Sequence, residues 1–170
     1  MERHRGPVLG RVKRSCGAHV HVSSNDGFNA KQVKAVARAA LYFEGAINAL
    51  VLAGRSGNEF CQSFSACDTN FQGRAVKERI AKVDKLGDLV HVVNLMNSNE
   101  DRRYIWNFTN LYRGKTLTTE FRQGPGVVTA SSALMWAEFV VTFVGAAMAV
   151  AGTHEHLSQF PDDVGSWCEG

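Results

Sequence analysis

Four cysteines, three prolines and a formal net charge of +3 are all that 170 residues offer in these categories. So few cysteines cannot make a disulfide scaffold, and Cys61 and Cys67 do not have a zinc-ribbon spacing, so the thiols read as reduced. The scarcity of proline, with 45% hydrophobic residues, excludes a disordered or proline-rich chain and suits one globular domain with its own core. The small net charge argues against a nucleic-acid-binding surface, because the basic residues are scattered except for a cluster before residue 15. That cluster reads as a solvated arm. The first 15 residues lack the apolar segment of a secretory signal and the hydroxyl-rich amphipathic pattern of a transit peptide, so a cytoplasmic protein is expected. No internal repeat and no low-complexity tract interrupt the chain.

Long apolar runs are also scarce, with one exception. Residues 133–151, ALMWAEFVVTFVGAAMAVA, would span about 28 Å as a helix, close to a bilayer core. Glu138 lies inside the run, alanines dilute it, and no basic cluster flanks it closely, so a packing helix is expected and no membrane partner.

The remaining pattern is mixed. SNDGF is a turn, and Asn29 with Gln32 forms a capping-box pair ahead of Val33, Val36, Ala37, Ala40, Leu41, Ile47, Leu50 and Val51 at helical spacing. That helix is expected to run to Gly54. Arg74 to Leu86 read as a second helix, LVHVVNL (89–95) as a buried strand with His91 in the core, and YIWNFTNL and TLTTEFRQ as an antiparallel hairpin turning at RGK (113–115). The expected fold class is α+β, a mostly antiparallel sheet with packing helices. The expected organisation is a basic arm over 1–14, one domain over 15–152 and a polar tail over 153–170.

Two strands carry a polar face. In CGAHVHVSS alternation puts Ala18, Val20 and Val22 on one side and His19, His21 and Ser23 on the other. In TLTTEFRQ it separates Leu117, Thr119 and Phe121 from Thr118, Glu120 and Arg122. Imidazole and carboxylate can ligate a divalent ion, and a guanidinium can grip a carboxylate or phosphate through two bonds. Taken alone, the two faces describe either a metal and anion site or a half-buried hydrogen-bonded pair.

In order and spacing, CGAHVHVSS, LYFEGAINALVLAGRSGNEFC, RYIWNFTNL and TLTTEFRQ resemble the amidoligase family, which shares the carboxylate–amine ligase superfamily with glutamine synthetase. The resemblance implies a partial glutamine-synthetase-like catalytic fold and an ATP- and Mg²⁺-dependent ligase that joins a carboxylate to an amine through an acyl phosphate. It implies that His19 and Glu120 bind the metal, that His21 and Ser23 contact ATP, and that Arg122 holds the carboxylate substrate. It makes Arg55 a catalytic and phosphate-binding candidate, with Asn58 and Arg103 as further nucleotide-binding candidates. Plainer alternatives stand beside these: Arg55 could solvate a helix end, Arg103 could be a surface charge beside Asp101, Glu44, which resembles a common family position, could pair with a nearby base, and His154 and His156, which could suggest a metal, could belong to a polar helix end. The family's N-terminal strand bears two close glutamates, whereas the only acid before Cys16 is Glu2. Gly124 and Val127 stand where the family has histidine and threonine. These departures imply a truncated or impaired ligase, or a remnant that binds a nucleotide or a protein partner, with an open sheet edge that invites a homo-oligomer.

Overall fold

The computed structural model describes residues 16–51, 55, 58–111 and 116–150. The basic arm, the turn at 113–115, the end of the first helical stretch near Gly54, and His154 and His156 lie outside the described residues.

Strand β1 (Gly17–Val22) pairs antiparallel with β3 (Thr119–Pro125), which pairs antiparallel with β2 (Trp106–Asn107), giving the order β1-β3-β2. The helices are α1 (Ala30–Tyr42), α2 (Glu44–Leu50), α3 (Phe64–Cys67), α4 (Val76–Asp84), α5 (Leu89–Met96) and α6 (Ala130–Ala149). The α+β class and the hairpin of β2 with β3 agree with the sequence pattern.

The Asn29–Gln32 capping box is present in both directions and starts α1 where two orphan donors would otherwise face solvent. The expected single helix is instead broken at Phe43, whose backbone leaves helical geometry. The break turns Glu44 inward: it is 3% exposed and accepts hydrogen bonds from the Phe64 and Ser65 N–H groups and from Arg79 Nη1 at 2.9 Å. Almost every residue of α1 after Lys34 is buried, and Ala35, Ala37, Ala39 and Ala40 let α4, α5 and α6 approach it closely.

LVHVVNL is helical, against expectation. Leu89, Val92, Val93 and Met96 recur at helical spacing and face the core, and Asp88 caps the first turn by accepting from the His91 N–H at 2.9 Å. β-branched residues suggested a strand, but the cap and the spacing win. His91 is accordingly on the surface, with its ring on Asp88, and is no core histidine. Leu117, expected to share the core face of β3, precedes the strand at φ 51° and is half exposed.

Helix α6 lays Trp136, Val140, Val144 and Ala147 against β1 and α1. Its aromatic residues continue into the sheet: Phe121 stacks on Trp136, and Trp106 stacks on Phe143 and meets Phe121 at a tilt. Each fully buried aromatic side chain contributes about 1.5–3 kcal/mol of transfer free energy. The helix is long and apolar enough to cross a bilayer, yet one row of it is core and the opposite row, with Leu134, Met135 and Val141, is exposed.

Candidate functional site

The alternation along β1 and β3 brings the two polar faces together, since His21 is the cross-strand partner of Glu120. A register irregularity between Ala18 and Val20 gives β3 one residue more than β1 there, and His19 sits at that bulge. Gly124 belongs to the same irregularity: a Cβ would lie 2.9 Å from the Ala18 carbonyl oxygen, so this position has no room for the histidine that the family resemblance led one to look for.

Glu120 is the hub, with 5% of its side chain exposed. Its Oε1 receives His19 Nδ1 at 2.9 Å and Arg122 Nη1 at 2.8 Å, with His21 Nε2 at 3.6 Å. Its Oε2 accepts from Asn107 Nδ2 at 2.7 Å. His21 also reaches Thr118 Oγ1 at 3.1 Å. Burial first, and the Arg122 charge next, hold the His19 imidazole below its ordinary pKa, outweighing the opposing pull of Glu120. A neutral imidazole beside an anchored carboxylate is the protonation state that a divalent ion requires.

The other predicted residues divide. Ser23 lies just beyond the end of β1 and is exposed. Arg55 is buried beneath β1 and β3: its Nη2 donates to the Arg122 carbonyl at 2.7 Å and its Nε to the Gln123 carbonyl at 3.4 Å, while Nη1 has no partner among the described residues. Gly17 makes space for it, because a Cβ there would lie 2.5 Å from Arg55 Nη2. Asn58 builds the following turn by accepting from the Phe60 N–H at 2.9 Å, and Phe60 in turn offers its carbonyl to Arg122 Nε at 3.4 Å. Arg103 is on the surface, paired with Asp101 at 2.8 Å, and lies in a polar cavity of about 490 Å³ lined also by Ser98, Glu100, Arg102 and Tyr104. The structure therefore gathers His19, His21, Glu120 and Arg122, puts Arg55 in contact with the Arg122 backbone and Asn58 in the turn that presents Phe60 to Arg122, and leaves Arg103 to one side.

Asn107 escaped the sequence reading. In YIWNFTNL the apolar residues Tyr104, Trp106 and Phe108 alternate with Ile105 and Asn107, and the cross-strand partners are Trp106 with Phe121 and Asn107 with Glu120. That juxtaposition of WN with EF was the available signal. Among the described residues no group of three or more His, Cys, Asp or Glu side chains is placed to hold a metal ion, so any ion here would draw on two or fewer such ligands plus substrate and water.

A family model described as "Putative amidoligase enzyme" matches residues 8–144. No curated protein and no solved structure matches the chain.

Proposed function

The chain belongs to this amidoligase family, and from that premise we propose that it is an ATP- and Mg²⁺-dependent ligase that forms an amide from a carboxylate and an amine through an acyl phosphate. The observation that carries the reading is the convergence of His19, His21 and Arg122 on one oxygen of a buried Glu120. His19 and Glu120 would hold the metal, whose charge would neutralise the phosphates during transfer. The donor set fits a hard ion in part: Glu120 Oε1 faces His19, His21 and Arg122, while Oε2 is tied to Asn107.

The chain's own residues supply the rest. Arg122 sits where its guanidinium can leave Glu120 for the carboxylate substrate, a bidentate partner of the same chemistry. Arg55 fixes two of its donors to β3 carbonyls, and its Nη1, without a partner among the described residues, supports an anion as its remaining partner. His21 and Ser23 follow His19 along the same edge toward the nucleotide. Arg103 and Asn58 would line the approach. The carboxylate and amine partners are small molecules or peptides.

A second reading, a nucleotide-binding or interaction module without catalysis, is favoured because no three metal-capable side chains are grouped to hold an ion among the described residues. Calorimetry decides between them. Titration of Mg²⁺ and ATP into the chain, His19→Ala and Glu120→Ala should show magnesium-dependent ATP binding that both variants lose. ATP binding indifferent to magnesium and to both substitutions would favour the module, and no binding by the folded chain would overturn the ligase reading.

A further inference from the structure

Every donor between Arg102 and Glu120 points the same way. Arg102 Nε donates to Thr109 Oγ1 at 3.2 Å, Thr109 Oγ1 donates to Asn107 Oδ1 at 2.8 Å, and Asn107 Nδ2 donates to Glu120 Oε2 at 2.7 Å. The direction is forced at each step. A guanidinium can only donate, so the Thr109 hydroxyl proton must go elsewhere; the Thr109 backbone N–H, also on Asn107 Oδ1 at 3.0 Å, fixes that atom as the carbonyl oxygen. The amide therefore has one orientation, with its NH₂ on Glu120. Asn107 is fully buried and Thr109 is 2% exposed, so no water competes for the two bonds between Thr109, Asn107 and Glu120, while Arg102 at the head of the chain is exposed. A chain of aligned bonds headed by a permanent positive charge polarises each member in turn and ends on a carboxylate.

We propose that Asn107 is a positioning residue that, with its amide oriented by Arg102 and Thr109, ties down Glu120 Oε2 and so aims Oε1 at His19 and Arg122. Arg102 also lines the 490 Å³ polar cavity, so the relay joins the wall of that cavity to the hub of the site. A carboxylate with one oxygen anchored presents the other in a single geometry, and loss of such an outer partner typically weakens a metal site about 10–100-fold. The proposal rests on the ligase reading only where metal affinity is concerned.

The test uses the whole chain with Asn107→Ala, Asn107→Leu, which nearly keeps the volume and removes the donor without adding a charge, and Thr109→Val, which keeps the shape and removes the hydroxyl. Two quantities are read: the side-chain carboxyl ¹³C resonance of Glu120, assigned with Glu120→Gln, and Mn²⁺ affinity with ATP present. The expected result is a displaced Glu120 resonance in both Asn107 variants, a smaller displacement in Thr109→Val, unchanged amide resonances away from the sheet, and a Mn²⁺ affinity reduced about 10–100-fold in Asn107→Leu. An unmoved carboxyl resonance in a folded Asn107→Leu protein overturns the proposal, as does wild-type Mn²⁺ affinity in that variant. Wild-type protein that binds no Mn²⁺ overturns the ligase reading instead, and the resonance then decides the role of Asn107. Should both Asn107 variants fail to fold, Thr109→Val decides: an unmoved resonance overturns the relay.

Discussion

Three buried carboxylates show how differently this chain treats the same group. Glu120 is shared among cations and an amide, as described. Glu44 has a complete set of partners, two backbone N–H groups and Arg79, all within the protein. Replacing Glu44 by alanine leaves a buried guanidinium and two donors without acceptors, so a loss of about 3–5 kcal/mol is expected in urea unfolding. Replacing Glu44 and Arg79 together by methionine should cost less than either truncation alone, because no charge is stranded. Asp68 is the poorly served member: it is fully buried, its Oδ2 has no hydrogen-bond partner among the described residues, and burial pushes its pKa above the ordinary carboxylate value despite the Asn70 N–H and the Tyr104 hydroxyl. A raised folded-state pKa means that the folded chain binds the proton more tightly than the unfolded chain. The stability that this supplies is present below the unfolded value and is lost as pH rises through the folded one. The Asp68→Asn protein lacks that loss, so its advantage over the wild type in urea unfolding should grow from pH 4 to pH 8. An advantage that shrinks over this range would contradict the assignment.

Elements were legible where pattern and punctuation agreed. The Asn29 capping box, the period of two in GAHVHV and TEFRQ, and the long apolar helix could all be read because each is a local signal that tertiary packing reinforces. LVHVVNL misled because its valines outweighed a cap at Asp88 that lies outside the run, and the break at Phe43 was hidden because the apolar period continues through it. The polar face of His19, His21, Glu120 and Arg122 followed from alternation, but Asn107 did not: its relevance exists only in the register of β2 on β3, which no single strand encodes. The same register makes a prediction at Gly124. Its α-carbon lets β1 and β3 approach at the bulge, and a methyl group would meet the Ala18 carbonyl, which is backbone and cannot swing aside. Gly124→Ala should therefore cost about 1–3 kcal/mol and should disturb amide resonances of Ala18 and His19 more than those of β2.

The molecule as a whole is a thin sheet roofed by helices, and α6 decides how that roof is held. Its length and hydropathy would suit a bilayer, yet Trp136, Val140 and Val144 interlock with the aromatic residues of the sheet. Neighbouring valines lie on opposite sides: Val140 is fully buried and Val141 is 54% exposed. A core helix and a membrane span treat this pair differently, because lipid would surround the outward row whereas water tolerates a charge there. Val140→Asp would put an unpaired carboxylate into the apolar core that also holds Phe121 and Trp136 and should cost several kcal/mol, enough to abolish a cooperative urea transition. Val141→Asp should change stability by no more than about 0.5 kcal/mol and leave the transition intact without detergent. If both substitutions proved equally damaging, the outward row of α6 would have to be covered, and the helix could not be the one-sided roof that the packing describes.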